Sequence, residues 1–185
     1  MWKTIIASMT LFSSLAFAGP KVVFETTLGA FTVELDKEKA PITVANFVKY
    51  VKDGSYVGTQ LHRVIPGFMA QGGGLDKDMK PVATYSPIKN EASNGLKNEV
   101  ATIAMARTRD PNSATRQFFI NYNNNEYLNF SDDKQKPSAG YAVFGKVTRG
   151  FETVKKMSEV PTTTKGNFRD VPKTAIIITN VSLIP

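Results

Sequence analysis

The chain has 185 residues, a formal net charge of +7, no cysteine and a single histidine, His62. This composition excludes thiol catalysis, zinc sites with cysteine ligands and metal sites built from several imidazoles, so we expect no metal ion. The basic residues are spread from Lys21 to Lys173 without a dense run, which is typical of a solvated surface, so we also expect no nucleic-acid partner.

Residues 1–18 have the layout of a cleavable secretory signal peptide. Lys3 precedes a mostly apolar stretch at 5–17, and the small residues Ala16 and Ala18 suit a signal peptidase. The stretch is too short for a hydrocarbon core of roughly 30 Å. Its apolar residues lie on all sides, which argues against the alternative of a buried amphipathic helix. We predict one soluble domain over 19–185 without a membrane anchor, with a charge of +6 once Lys3 is lost.

Short runs of β-branched and aromatic residues predict eight strands. They lie at 21–26, 31–35, 61–65, 68–71, 102–106, 117–121, 141–148 and 174–183, and the first two form a hairpin turned near Leu28 and Gly29. Two helices with one apolar face each are predicted, the first from Pro41 to a stop at Gly54 and the second over 150–158. The intervening segments 75–100 and 122–140 are long and polar, as functional loops often are.

This pattern favours a mainly β fold. Many short strands and two distant amphipathic helices are typical of a closed antiparallel barrel whose ends the helices cover, since closure removes exposed strand edges. A sandwich of two sheets is the alternative architecture.

The central strands carry residues suited to binding and electrostatics. No Ser-x-x-Lys or Gly-x-Ser-x-Gly pattern places a nucleophile, and the glycines at 72–74 are not followed by the Lys-Ser/Thr of a phosphate loop. Arg63 is the notable charge in these strands. Because arginine stays protonated, it can aim fixed N–H donors at a lone pair but cannot carry ordinary acid–base chemistry.

The run at 62–73, HRVIPGFMAQGG, resembles the signature of the cyclophilin family of peptidyl-prolyl cis-trans isomerases. The segments QFFI at 117–120 and FGKV at 144–147 resemble two later landmarks of that family, in the expected order. With the export signal, IAMART at 103–108 and GYAVFG at 140–145 are similar to its bacterial periplasmic branch. The resemblance implies a closed eight-stranded antiparallel barrel with two capping helices. It also implies a cofactor-independent periplasmic rotamase and folding chaperone that acts on proline-containing polypeptides.

The resemblance assigns site residues as well. Arg63 matches the catalytic arginine that donates a hydrogen bond to the prolyl nitrogen in the twisted state, and Gln71 matches the residue that orients it. His62, beside them, is expected to line the groove without transferring a proton. The positions that match substrate-binding residues of the family are His62, Phe68, Met69, Ala106, Arg107, Gln117, Phe119, Tyr127, Leu128 and Tyr141.

Three positions depart from the family pattern. Tyr127 stands where the usual groove tryptophan does, so we expect weak cyclosporin binding with catalysis largely intact. Tyr141 replaces the usual groove histidine. Arg107 replaces an asparagine, and we expect it to favour acidic or extended partners. We expect a monomer. A proline-peptide binding module without turnover is the alternative function, and polyanion binding through the positive charge is a weaker one.

Overall fold

The computed structural model describes residues 19–184, so the predicted signal peptide lies outside the described residues. The elements in chain order are β1 (Lys21–Thr26), β2 (Gly29–Leu35), α1 (Pro41–Lys52), β3 (Arg63–Ile65), β4 (Met69–Gly72), β5 (Thr102–Met105), β6 (Phe118–Asn121), a 3₁₀ turn (Glu126–Leu128), β7 (Val143–Arg149), α2 (Phe151–Met157), β8 (Thr162–Lys165), β9 (Phe168–Pro172) and β10 (Ile178–Ile184). Within 19–184, neither helix has the length and apolar character needed to cross a bilayer.

Eight of these strands form one antiparallel sheet in the order β10-β1-β2-β7-β5-β6-β4-β3. The mainly β class, the eight-stranded sheet and the two helices are therefore confirmed, and no second large sheet of a sandwich is present among residues 19–184. The predicted closure is not confirmed, because the sheet curves through 214° as an open half-barrel. Its edges are β3 and β10. β3 has only three residues, packs beside β9 and forms no ladder with β10.

Backbone hydrogen bonds nevertheless tie the segment before β3 to the segment that leads into β10. Leu61 N donates to Ile176 O at 2.9 Å, and Ile178 N donates to Thr59 O at 2.8 Å. These contacts are isolated rather than part of a ladder. They hold the two edges of the sheet near each other without making a continuous barrel.

The sequence prediction missed one hairpin, formed by β8 and β9. Its local signal is present, since Gly166 and Asn167 separate two short runs and Gly-Asn is a favoured hairpin turn. This hairpin lies outside the large sheet, and β9 packs beside β3.

Helix α1 begins without a side-chain cap of its own. Instead the carboxylate of Glu91 accepts hydrogen bonds from the Ile42 and Thr43 backbone amides at 3.1 and 2.8 Å, and from the Thr43 hydroxyl at 2.7 Å. A carboxylate at this end also complements the positive end of the helix dipole. The long loop that carries Glu91 is thereby fixed to the helix.

The alternation of side chains along β6 separates the core from an outer face of the sheet. Phe118 is fully buried and packs with Phe24, Phe47 and Tyr56 in the main core. Phe119, the next residue, belongs to a smaller cluster on the other face. Successive strand residues point to opposite faces, so a core residue and a site residue stand side by side in the sequence.

One charged side chain is almost fully buried where β6 begins. Arg116 is 1% exposed and donates hydrogen bonds to three backbone carbonyls, those of Gly73 at 2.6 Å, Ala83 at 2.7 Å and Ser55 at 2.5 Å. Its guanidinium also lies over the Tyr50 and Tyr56 rings. A single residue thus joins the end of β4 to two loops.

Candidate active site

The strand pairing brings Arg63, Gln71 and Phe119 into one row across the sheet. Arg63 on β3 stands opposite Gln71 on β4, and Gln71 stands opposite Phe119 on β6. The row continues through Ala104 on β5 to Val143 on β7. Directly opposed residues of antiparallel strands point to the same face, so these side chains share the outer face of the sheet.

An apolar cluster occupies this face. Its buried members are Met69, Ala104, Phe119 and Val143. The residues packed against them with partial exposure include Phe68, Ala106, Leu128 and Tyr141. Six of the ten predicted substrate-binding residues thus meet in one cluster, namely Phe68, Met69, Ala106, Phe119, Leu128 and Tyr141. It offers a partly open apolar surface beside a guanidinium.

Aromatic pairs shape two sides of the cluster. The Tyr141 ring meets the Phe119 ring edge-on at 5.7 Å between centroids. The Tyr127 ring lies 5.8 Å from that of Phe68 and is tilted by 32°. Tyr127 is 69% exposed, so it forms part of the rim rather than of the apolar floor.

A buried network of asparagine amides borders the cluster, with Asn121 directly opposite Met69, and sequence reasoning missed it. Asn98 Nδ2 donates to the carbonyls of Leu128 and Tyr141 at 3.2 and 3.3 Å. Asn121 Nδ2 donates to Asn98 Oδ1 at 3.2 Å, and Asn125 Nδ2 donates to Asn121 Oδ1 at 2.7 Å. Asn125 Nδ2 also reaches the Phe68 carbonyl at 3.0 Å. The network ties the backbone of three predicted pocket residues together.

Arg107 is engaged with its own chain. Its Nε and Nη2 donate to the Gly140 carbonyl at 3.0 and 2.9 Å, and its Nη1 donates to the Thr108 carbonyl at 2.9 Å. The guanidinium carbon lies 4.4 Å from the centre of the Tyr141 ring. Arg107 therefore braces Tyr141, the ring that packs on Phe119.

Gln71 and Gln117 form an amide pair, with Gln71 Nε2 donating to Gln117 Oε1 at 2.9 Å. Among residues 19–184, no hydrogen bond joins Gln71 to the Arg63 guanidinium. The ionic partner of Arg63 is instead Asp170 on β9, whose Oδ2 lies 3.9 Å from Arg63 Nε. Sequence reasoning missed Asp170, because the contact depends on the non-local packing of β9 against β3.

His62 immediately precedes Arg63 and is 5% exposed. Its Nδ1 is buried without a hydrogen-bond partner in the described part of the chain, and its ring meets Phe168 edge-on. Burial, together with the charge of Arg63, lowers the pKa of His62 to about 4, against a weaker raising effect of the Gln60 backbone. The imidazole is therefore neutral at pH 7, and its position suits packing rather than proton transfer.

A cleft of about 820 Å³, which shares Leu96 and Val143 with the outer-face cluster, is also lined by residues that include Leu35, Asp36 and Lys146. None of the predicted site residues lines it, and its charged rim mixes both signs. The outer-face cluster is the candidate site, because there an apolar surface, a guanidinium and an amide pair converge. In the described residues, no three His, Asp or Glu side chains come together as metal ligands.

Comparisons with known proteins show which proteins the chain resembles in sequence and fold. A family model described as "Cyclophilin type peptidyl-prolyl cis-trans isomerase/CLD" matches residues 21–183. A peptidyl-prolyl cis-trans isomerase of Acinetobacter baylyi is 50% identical over 179 residues, which cover 97% of this chain and 93% of the relative. Peptidyl-prolyl cis-trans isomerase B of Escherichia coli is 49% identical over 162 residues, covering 88% and 98%.

A solved structure of similar fold is a cyclophilin-type isomerase of Cryptosporidium parvum, determined in the presence of the dipeptide Ala-Pro. The TM-score is 0.72 at 26% identity, and the match covers 89% of this chain and 99% of that chain.

Proposed function

Because the chain belongs to the cyclophilin-type peptidyl-prolyl cis-trans isomerases, we propose that it accelerates rotation of X-Pro bonds through electrostatic stabilisation of the twisted amide by Arg63. The family is an enzyme class that needs no cofactor. The residues to be assigned are therefore those that bind the proline and those that lower the barrier to rotation.

Rotation about an X-Pro bond breaks amide resonance and meets a barrier of about 18–20 kcal/mol. In the twisted state the prolyl nitrogen becomes pyramidal and gains a lone pair. A donor fixed beside that nitrogen binds the twisted state better than either planar isomer, which is the requirement for catalysis. Each ~1.4 kcal/mol of preferential stabilisation gives a tenfold acceleration.

The observation that carries this proposal is the cross-strand row that sets Arg63 beside the apolar cluster. A pyrrolidine ring held against Phe119 and Met69 would bring its nitrogen toward the guanidinium. The Arg63 side chain is 42% exposed, so a peptide on this face can reach it. Gln71 completes the polar edge through its amide pair with Gln117.

The test replaces Arg63 by Ala and by Lys and measures the isomerisation rate of a proline peptide in a protease-coupled assay. We expect at least a tenfold loss for Arg63→Ala, because the donor to the twisted nitrogen is gone. Arg149→Ala, an exposed arginine on β7, is the matched control and should keep the wild-type rate. Full activity of Arg63→Ala would contradict the proposed electrostatic role of Arg63. Peptide binding by the wild type without any acceleration would favour a binding module instead.

We further propose that the substrates are proline-containing polypeptides exported to the periplasm, where the protein assists folding. The basic residue and apolar stretch within 1–18 support export. Cell fractionation with mass analysis of the purified protein tests the assignment. A mature chain starting at Gly19 and recovered from the periplasmic fraction is expected, and an unprocessed cytosolic chain would contradict it.

Two further properties belong to the proposal. Weak cyclosporin binding is supported by Tyr127, whose exposed phenol offers no indole N–H at the rim. A monomer is supported by the site itself, since one chain supplies every residue of the cluster. Calorimetric titration with cyclosporin and light scattering on the eluted protein check the two properties. Nanomolar inhibition or a stable dimer would refute them.

A further inference from the structure

A bulge in the β8–β9 hairpin sets the position of Asp170. Thr163 pairs with Val171 and Lys165 pairs with Phe168, so one residue of β8 faces two residues of β9, Arg169 and Asp170. Bulges bend a strand and redirect a side chain, and they are over-represented beside active sites. The hairpin packs against β3 through β9, which places this bulge next to Arg63.

The backbone of Asp170 is itself unusual, with φ at 58°. A left-handed conformation is costly for a residue with a side chain, although Asp and Asn tolerate it better than most. Such conformations persist where the surrounding structure enforces them, and they concentrate at functional sites. At this position the conformation brings the Asp170 carboxylate to within 3.9 Å of Arg63 Nε.

We propose that Asp170 is a positioning residue of the isomerase site, holding the Arg63 guanidinium by its Nε edge and leaving both terminal nitrogens free for the substrate amide. This inference rests on the proposed catalytic role of Arg63. A long arginine side chain has many rotamers, and an electrostatic catalyst works only if its donors are fixed before the substrate twists. Gln71 does not supply this hold in the structure, since its side-chain bond goes to Gln117 and, among residues 19–184, no hydrogen bond joins its amide to the Arg63 guanidinium.

The exposure of the Arg63–Asp170 pair sets the size of the effect that we expect from removing the Asp170 carboxylate. Both side chains of the pair are 42% exposed, and ion pairs of this kind are weak and are screened by salt. Loss of the carboxylate should therefore slow turnover by about two- to fivefold rather than abolish it. Because the pair acts on Arg63 and does not touch the proline pocket, the loss should fall on kcat and leave KM near its wild-type value.

The experiment uses Asp170→Asn and Asp170→Gly in the full-length protein. Asn and Gly both accept a positive φ, so neither variant should strain the hairpin, and thermal unfolding verifies this. Both should show the reduced kcat. Raising the salt concentration should lower the wild-type kcat toward that of Asp170→Asn and leave the variant unchanged. Asp132→Asn, which removes an exposed carboxylate from a different loop, should behave like the wild type.

A double-mutant cycle with Arg63→Ala separates this inference from the mechanism on which it rests. If Asp170 acts through the guanidinium, Asp170→Asn should have no further effect on the residual rate in the Arg63→Ala background. An unchanged kcat in Asp170→Asn, or an equal fall in both backgrounds, would overturn the inference while Arg63 remains catalytic. Full activity in Arg63→Ala would overturn the mechanism instead.

Discussion

Gln117 is packed directly over Gly74, so that a side chain at position 74 would overlap the Gln117 side chain. The same glutamine accepts the hydrogen bond from Gln71. The run of glycines after β4 therefore has a specific role at this point, since it lets one amide lie flat against the backbone and orient a second amide in the site.

We predict that Gly74→Ala lowers activity and destabilises the fold less than Gly72→Ala does, because it meets a side chain rather than backbone. The added methyl group must displace Gln117, a flexible side chain, and break its bond to Gln71. Loss of one such bond corresponds to about two- to tenfold in kcat/KM. The protease-coupled assay and thermal unfolding together check this. Gly72→Ala is the contrasting variant, because its methyl group would lie 2.7 Å from the Gln60 carbonyl oxygen and should destabilise the fold.

The asparagine network gives a second prediction. Asn98→Ala removes the donor to the Leu128 and Tyr141 carbonyls and leaves Asn121 Nδ2 without Asn98 Oδ1. We expect the free energy of unfolding to fall by about 2–3 kcal/mol, since these groups are buried. Urea denaturation measures the change. Asn123→Ala, an exposed residue bonded only to the next backbone amide in the described structure, should cost far less, and equal losses would contradict the argument.

Arg107 permits a test between two interpretations. The sequence suggested that it favours acidic or extended partners, whereas its contacts with Gly140 and Tyr141 suggest that it braces the pocket wall. For Arg107→Ala we expect kcat/KM to fall about two- to tenfold for Glu- and Lys-flanked proline peptides alike. A loss confined to the Glu-flanked peptide would instead support charge selection. Arg109→Ala, an exposed neighbour, is the control.

The protonation of His62 should be visible in the pH dependence of the protein's stability. Its pKa is lowered to about 4 in the folded protein, so between pH 4 and its ordinary value of 6.5 the unfolded chain binds the proton more readily. The contribution of this group to stability is complete above pH 6.5 and is lost as the pH falls toward 4, by up to about 3 kcal/mol. Thermal unfolding from pH 7.5 to 4.5 should show a smaller slope for His62→Gln. Identical slopes would refute the assignment.

Much of the fold and of the candidate site can be predicted from the sequence, because both depend largely on local signals. The eight predicted strands and both helices follow from alternation and amphipathic spacing, and most pocket residues lie within the motifs at 62–73, 103–108, 117–120 and 140–145, whereas Tyr127 and Leu128 lie in the long loop at 122–140. The Asn98 network and the Asp170 contact escaped prediction, since each joins segments far apart in sequence through isolated polar residues. The closure of the barrel was overstated because strand count alone does not determine whether the edge strands pair.

β3 is an edge strand, with a ladder to β4 on one side and only the packing of β9 on the other. The central strands β2 and β7 are hydrogen-bonded on both sides. Local opening is easiest where fewest backbone bonds must break, so amide hydrogen exchange should be faster in β3 and the β8–β9 hairpin than in β2. Arg63 thus stands on an edge strand whose amide protons should exchange faster than those of the strands around the aromatic core.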